Sequence, residues 1–503
     1  MLRPLPSSLH IIEGKLNQYL LPLVTLVGLS GGLMVAYLVT AGQWPVALGL
    51  LVALPAFVLL HRYPFAALII WLSFTPFLME SNSGVVRRVY WVIHRALPPT
   101  TVAIILLSTW FKLHKRKLPK PGMPELLMAG YIAVSLLSIL YVVSNNTVGN
   151  TTVQQLLNSV DSYGDKKIFV LYDRVFIPMC LYFILRLTKP KEADFKRLLP
   201  AIAFVLVSQS IIGILSWAAP QFLPSAWLNR AGSRTSGSLD HYSVFTSTVM
   251  LCSILLLQSA CNHNLHKSIR LGYIFLFILG VFMIFLSFSR ASWLACIIVI
   301  IGLFFLYPKK MMQIGTFAIP VFIVLFSAGY LSQQADFAQK RFYSAQSEES
   351  ALSRLPVVVA SLRMFEARPL FGWGYGDFDE YDYQFQARVG DIVSPKQDHA
   401  SHNLYLTVLA EQGIVGIFFY LMPVAWWLVL SVRAYPKLPA EGFWSRKLLV
   451  IFWLLLLFHF IINNFSNMRV VYGLGLWWIA LGFIGVMVSR CLSAEANQLE
   501  ARP

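Results

Sequence analysis

The sequence predicts an all-α polytopic membrane protein of about 12–14 transmembrane helices, and three observations predict it. Hydrophobic residues make up 57% of the 503 positions and charged residues only 13%, with a mean hydropathy of +0.65. That leaves too little polar surface for a soluble globule of this length. Apolar runs of roughly 16 to 22 residues, long enough as helix to cross a ~30 Å hydrocarbon core, recur along the chain. Lys and Arg gather in the short connections between them.

Hydropathy places about fourteen such runs. Their cores are residues 20–40, 45–60, 65–78, 101–113, 125–143, 168–187, 199–217, 242–260, 271–287, 291–307, 315–330, 402–432, 448–464 and 472–489. The second and third are short and read either as two crossings or as a re-entrant pair. The first starts too late and runs too long for a cleaved signal peptide, so a signal anchor is expected.

Basic residues in short loops are retained on the cytoplasmic side. Lys112, Lys115, Arg116, Lys117 and Lys120 crowd one connection, and Lys189, Lys191, Lys196 and Arg197 another. Two crossings separate them, which puts both inside. Counting onward in pairs, Lys267/Arg270, Lys309/Lys310, Arg433/Lys437, Arg446/Lys447 and both termini fall inside as well. The chain then divides into N-terminal helices (1–167), central helices with arginine-bearing outer connections (168–330), a large periplasmic loop (331–401), C-terminal helices (402–490) and a cytoplasmic tail (491–503). A bacterial inner membrane is the expected location.

The net charge of +17 is spread over many short loops rather than gathered in one stripe, which argues for topology and anionic lipid and against nucleic acid. Cys180, Cys252, Cys261, Cys296 and Cys491 lie in or beside apolar spans without paired spacing, so neither a disulfide framework nor a thiolate metal site is indicated.

The outer segment 331–401 is far longer than a joining loop needs. Within it, 348–368 reads as a helix: Pro356 suits the first turn, Leu355, Val358, Val359, Leu362 and Phe365 form an apolar stripe, and Pro369 stops it. Such a helix lies on the bilayer surface or caps the bundle. There follows Pro369-Leu-Phe-Gly372-Trp373-Gly374-Tyr375-Gly376-Asp377-Phe378, whose alternate glycines permit tight turns and close backbone approach. No βαβ pattern surrounds it, so it is no dinucleotide fingerprint. It reads equally as a turn holding aromatic rings at a sugar-binding surface or as plain loop architecture, and Tyr381, Tyr383 and Phe385 among acids carry the same two readings. Asp377-Phe-Asp379 spells the D-x-D of nucleotide-sugar transferases, but nucleotide sugars are cytoplasmic and this loop is expected outside.

The loop closes with Asp398-His-Ala-Ser401-His402-Asn403 before the next apolar run. Ser401 is a good N-cap, which places His402 in the first helical turn. There the helix dipole disfavours imidazolium and leaves a ring able to accept a proton; a structural role is the alternative. Two arginines share this outer side: Arg234 in Arg230-Ala-Gly-Ser-Arg234-Thr-Ser-Gly237, and Arg290 in Ser287-Phe-Ser289-Arg290-Ala-Ser-Trp293, a very tight turn. Guanidinium groups suit phosphate oxygens, since they stay charged and donate bidentately. Interfacial snorkelling is the competing reading for each.

Arg234-Thr-Ser-Gly237, Ser289-Arg290-Ala-Ser-Trp293, Arg368-Pro-Leu-Phe-Gly-Trp-Gly-Tyr-Gly-Asp-Phe378 and His402-Asn403-x-x-Leu406 occur in the order seen in the bacterial O-antigen ligase and polymerase superfamily. The chain resembles that family over roughly residues 168–489, most specifically over 354–416. The resemblance implies transfer or polymerisation of glycans carried on undecaprenyl pyrophosphate at the periplasmic face. It also implies a type C glycosyltransferase-like helical fold, with no cofactor, nucleotide sugar or metal.

It further implies that His402 is the general base on the acceptor hydroxyl and that Arg234 and Arg290 hold the pyrophosphate leaving group. Arg174, beside Asp173, either assists the phosphates or pairs with Asp173. Gly372, Gly374, Gly376, Asp377 and Asn403 are the candidate glycan-contacting residues. The expected partners are membrane lipid, the lipid-linked glycan and an acceptor glycan or lipid A core.

About two extra spans and a longer outer loop than the simplest ligase pattern leave ligase and polymerase both open. A flippase or secondary transporter is the rival class. No inverted repeat and few mid-span ionisable residues speak for it.

Overall fold

The computed structural model describes residues 40, 55–79, 84–111, 118–145, 167–228, 234–239, 241–261, 265–327, 329, 336, 339, 352, 354–386, 401–466 and 470–500. Contacts divide the chain into Met1–Ala66 and Ala67–Pro503. In the first unit, residues 55–62 are helical, closed by a bond from the Tyr63 amide to the Leu59 carbonyl at 2.7 Å. The expected run at 20–40 and most of the run at 45–60 lie outside the described residues.

The chain from Ala66 onward is helical, with no strand among the described residues. Its elements in order are α1 (Ala66–Leu78), α2 (Gly84–Tyr90), a π-helical turn (Trp91–Ala96), α3 (Leu97–Trp110), α4 (Met123–Asn145), α5 (Lys167–Leu171), a second π-helical turn (Tyr172–Phe176), α6 (Ile177–Thr188) and α7 (Glu192–Ala218). They continue as α8 (Tyr242–Ala260), α9 (Lys267–Leu286), α10 (Arg290–Leu306), α11 (Pro308–Ser327), α12 (Leu355–Ala367), α13 (Phe378–Phe385), α14 (Leu404–Ala434), α15 (Arg446–Asn463) and α16 (Val471–Glu500).

Eight helices of the described residues are long and apolar enough to cross a membrane, and Ala66–Leu78, Met123–Ile139 and Arg290–Leu306 are shorter apolar helices. Every expected run from residue 65 onward coincides with one of these helices or with α11. The chain is a multi-pass membrane protein.

Burial sorts the helices. The apolar window of α8 is entirely enclosed and that of α16 almost so, whereas those of α9 and α14 are mostly exposed on the outside of the bundle. In α8 Thr248, Ser253 and Ser259 each donate to the carbonyl four residues back, at 2.7, 2.6 and 2.9 Å, while the buried Ser247 hydroxyl has no hydrogen-bond partner among the described residues.

One end of the bundle gathers basic connectors: Arg490 donates to the Lys189 carbonyl at 2.7 Å, and the Lys447 ammonium lies 5.3 Å from the Tyr307 ring. Nearby, Arg186 pairs with Glu125 at 2.9 Å and donates to the Gly485 carbonyl at 2.9 Å and to Ser489 at 2.7 Å. The Tyr182 hydroxyl donates to Glu125 at 2.7 Å and accepts from the Trp427 indole at 3.1 Å. A single buried ion pair thereby ties α4, α6, α14 and α16 together. At Gly485 an added Cβ would come within 2.9 Å of Arg186 Cδ, so glycine there makes room for the guanidinium stem.

Arg186→Met, which strands the Glu125 charge, should destabilise the protein by roughly 3–5 kcal/mol. Thermal unfolding in detergent would show this as a lowered midpoint, with much of the loss recovered in the Glu125→Gln/Arg186→Met double variant.

Candidate active site

The other end of the bundle carries the described connecting segments 219–228, 234–239, 287–289, 354–386, 401–403 and 464–466. Segment 234–239 turns inward. Thr235, Ser236, Ser238 and Leu239 are buried, because the buried Gln209 of α7 accepts from the Ser238 amide at 3.0 Å and donates to its hydroxyl at 2.7 Å. The Ser238 hydroxyl in turn donates to the Pro76 carbonyl at 2.8 Å. Gly237 has φ 63°, and a Cβ there would lie 2.2 Å from Gln209 Oε1. This tether fixes Arg234, whose guanidinium lies 4.5 Å from the ring centre of Tyr242, the first residue of α8.

The connection 287–289 is three residues long. Phe288 is buried with φ 48°, a left-handed backbone that a bulky residue adopts only when its surroundings impose it. Its ring stacks on Trp217 at 5.6 Å. Ser289 caps α10, accepting from the Ser292 amide at 3.3 Å, and makes Arg290 the first helical residue. A cation at the positive end of a helix is unfavourable by itself. With an anion in front, the exposed N–H groups and the guanidinium act together.

Arg234 and Arg290 open on one cavity of ≈350 Å³, and Arg354 joins them there. Tyr242, Ser289, Phe465 and Ser466 also line it, and among the described residues no carboxylate does. Arg354, at the start of α12, donates to the Phe465 carbonyl at 3.3 Å. Sequence reasoning missed this third cation, which had only marked the edge of the resembling segment.

His402 is half-buried with φ 51° and lies outside the helix. The expected cap at Ser401 is corrected: the N-cap of α14 is Asn403, whose Oδ1 accepts from the amides of Tyr405 and Leu406 at 3.0 and 3.1 Å. His402 therefore precedes the cap, and the argument that its ring sits in the first turn lapses. Asn403 Nδ2 reaches the Asn464 carbonyl at 3.2 Å, adjacent to the cavity-lining Phe465. Arg174 stands apart, lining a separate small cavity with Tyr131, Tyr375 and Leu404. Its neighbour Asp173 is held by Arg95 at 2.6 Å.

The glycine-rich segment docks backbone against backbone. α14 breaks at Gly413 (φ 63°, ψ −162°), and there the Trp373 and Gly374 amides donate to the Ala410 and Glu411 carbonyls at 3.1 and 2.8 Å. In return, Ile414 and Val415 donate to the Pro369 and Leu370 carbonyls at 2.8 and 3.2 Å. A Cβ on Gly372 would lie 2.3 Å from the Glu411 carbonyl carbon, and one on Gly413 2.4 Å from Leu370. Gly374 and Gly376 also have positive φ.

Trp373 and Tyr375 of this loop turn inward, while Phe371 is exposed. Trp373 packs against Tyr381 and Phe385, each at 5.0 Å, over Val357, Met364 and Phe378. Tyr383 is exposed.

In α12 the expected stripe is corrected as well: Pro356, Val357, Ala360, Ser361 and Met364 are buried, while Leu355 and Leu362 are exposed. Asp377 is buried and ion-paired with Lys167 of α5, and its Oδ2 has no hydrogen-bond partner among the described residues.

Comparison with protein-family models matches residues 275–421 to the O-antigen ligase family. The resemblance to that superfamily holds. The matched segment contains Arg290, Arg354, the glycine-rich loop, His402 and Asn403, while Arg174 and Arg234 precede it. It supports a glycan ligase or polymerase activity. No curated protein matches the chain.

Gly413→Ala forces a side chain into a backbone region essentially reserved for glycine, at a cost of at least ~1–3 kcal/mol, and displaces the 369–374 loop. Thermal unfolding and limited proteolysis within that loop should both report the loss.

Burial raises the Asp377 carboxyl from 3.8 to about 6, with Lys167 pulling it down. The folded state thus holds this proton more tightly than the unfolded chain does. The group's stabilising contribution is full below 3.8 and is lost as the pH rises through about 6. The melting temperature of Asp377→Asn relative to the unaltered protein should therefore climb between those two values, as thermal-shift measurements across that window would show.

Proposed function

We propose that this chain is a metal-independent glycosyltransferase of the bacterial inner membrane that takes a glycan from an undecaprenyl-pyrophosphate donor to an acceptor hydroxyl at the periplasmic face. One observation carries the reading: three guanidinium groups share a ≈350 Å³ cavity with no carboxylate among the described residues that line it. Such a cavity suits a ligand bearing more than one negative charge. Diphosphate is the smallest head group common on lipid carriers that meets that demand, and the O-antigen ligase match favours transfer over transport.

The chemistry is a displacement at the anomeric carbon. His402 takes the acceptor hydroxyl's proton as the oxygen bonds to that carbon, and the bond from the carbon to the phosphate oxygen breaks on the opposite face with inversion. The electron pair leaves on the lipid diphosphate, where Arg234, Arg290 and Arg354 meet the growing charge. Cleavage of the sugar–phosphate bond supplies the driving force. The basic end of the bundle is cytoplasmic in this reading, and so are both termini.

The test is glycan transfer by purified protein in nanodiscs, with a lipid-diphosphate glycan donor and EDTA present. His402→Ala should lower kcat by ~10²- to 10⁴-fold, and Arg290→Ala or Arg354→Ala by ~10²- to 10³-fold. A ladder of products would assign polymerase and a single addition ligase. Undiminished transfer in His402→Ala would remove the histidine from the chemistry.

A further inference from the structure

The side-chain amide of Asn403 is engaged at both ends. Its Oδ1 caps α14 through Tyr405 and Leu406. Its Nδ2 donates to the Asn464 carbonyl at 3.2 Å and approaches Asn464 Oδ1 at 3.4 Å. Asn464 is the C-cap of α15, so its carbonyl belongs to the group that a helix end leaves without intrahelical donors, at the negative pole of the helix dipole. The next carbonyl along, that of Phe465, accepts from Arg354. Two successive carbonyls at one helix end therefore hold the residue that follows His402 and a guanidinium of the cavity.

His402 needs such support. Its left-handed backbone (φ 51°) persists only where neighbours over-determine it. Ser401 supplies part of that: its buried hydroxyl accepts from the Asn403 amide at 3.2 Å, donates to the Asn403 carbonyl at 2.8 Å and contacts the Thr407 hydroxyl. None of these bonds refers to the arginines. The Asn403–Asn464 tie does, because it runs to the segment that anchors Arg354 and lines the cavity.

We infer that Asn403 is a positioning residue, which uses the C-terminal end of α15 as a shared anchor to set His402 against the arginine cavity. This rests on the proposed function. It also removes Asn403 from the candidate glycan contacts, since neither end of its amide is spare.

Two substitutions separate capping from positioning. Asn403→Asp and Asn403→Ser both retain an oxygen that caps a helix about as well as asparagine, and both lose the donor to Asn464. Aspartate adds a charge there and serine does not, so an effect common to both comes from the lost tie.

In the transfer assay each variant should melt within a few degrees of the unaltered protein and show kcat reduced by ~10- to 100-fold, the scale of a misplaced catalytic group. KM for the lipid-linked donor should stay within about twofold, because the guanidinium groups are untouched. Unaltered kcat in both variants would overturn the inference, as would a fall in kcat matched by a rise in KM or by loss of the fold. Absence of transfer by the unaltered protein would instead defeat the functional reading, and this inference with it.

Discussion

Two backbones meet without side chains between them where α14 breaks at Gly413, and the placement of α12 with Arg354, and of Asp377, depends on that contact. The break frees two carbonyls and two amides inside a bundle where water is scarce, and an unsatisfied backbone group there costs several kcal/mol. The 369–374 segment satisfies all four. Helix break and loop are therefore conditions of each other. From the docked loop, Trp373 seats α12 through its bond to the Met364 carbonyl at 2.8 Å, α12 carries Arg354 to the cavity, and Asp377 reaches Lys167.

The arginine cavity is built from pieces that are far apart in sequence and rigid for different reasons. Arg234 depends on a glutamine buried in mid-helix, Arg290 on a serine cap, and Arg354 on a helix that leans against α14. Among the described residues that line the cavity none is a carboxylate, so the three guanidinium groups face a ligand together. Phe288, left-handed, stacked on Trp217 and edge-on to Trp293, shows that the tight turn before Arg290 is maintained against a local backbone preference.

The spans from residue 65 onward were legible in the sequence because membrane crossing is a constraint on length and polarity that needs no partner. That Arg234 and Arg290 lie together was legible because polar motifs stand out between apolar runs. Arg354 was not, since its meaning lies in a carbonyl 111 residues away. The stripe of α12 was misread for a related reason: leucines dominate a hydrophobicity count, but Ala360 and Ser361 let two helices approach closely, so the small face is the buried one. The cap was misplaced because serine and asparagine are near-equal caps, and only the tertiary bond to Asn464 distinguishes them.

A cavity lined by three guanidinium groups has a kinetic consequence. A lipid diphosphate that has lost its sugar carries more negative charge than the same lipid with the sugar attached, so the guanidinium groups grip the spent carrier harder than the donor. On the proposed reading, departure of the carrier competes with bond-breaking as the slow step of the cycle. Whatever removes the freed carrier from the membrane then governs how fast this protein turns over.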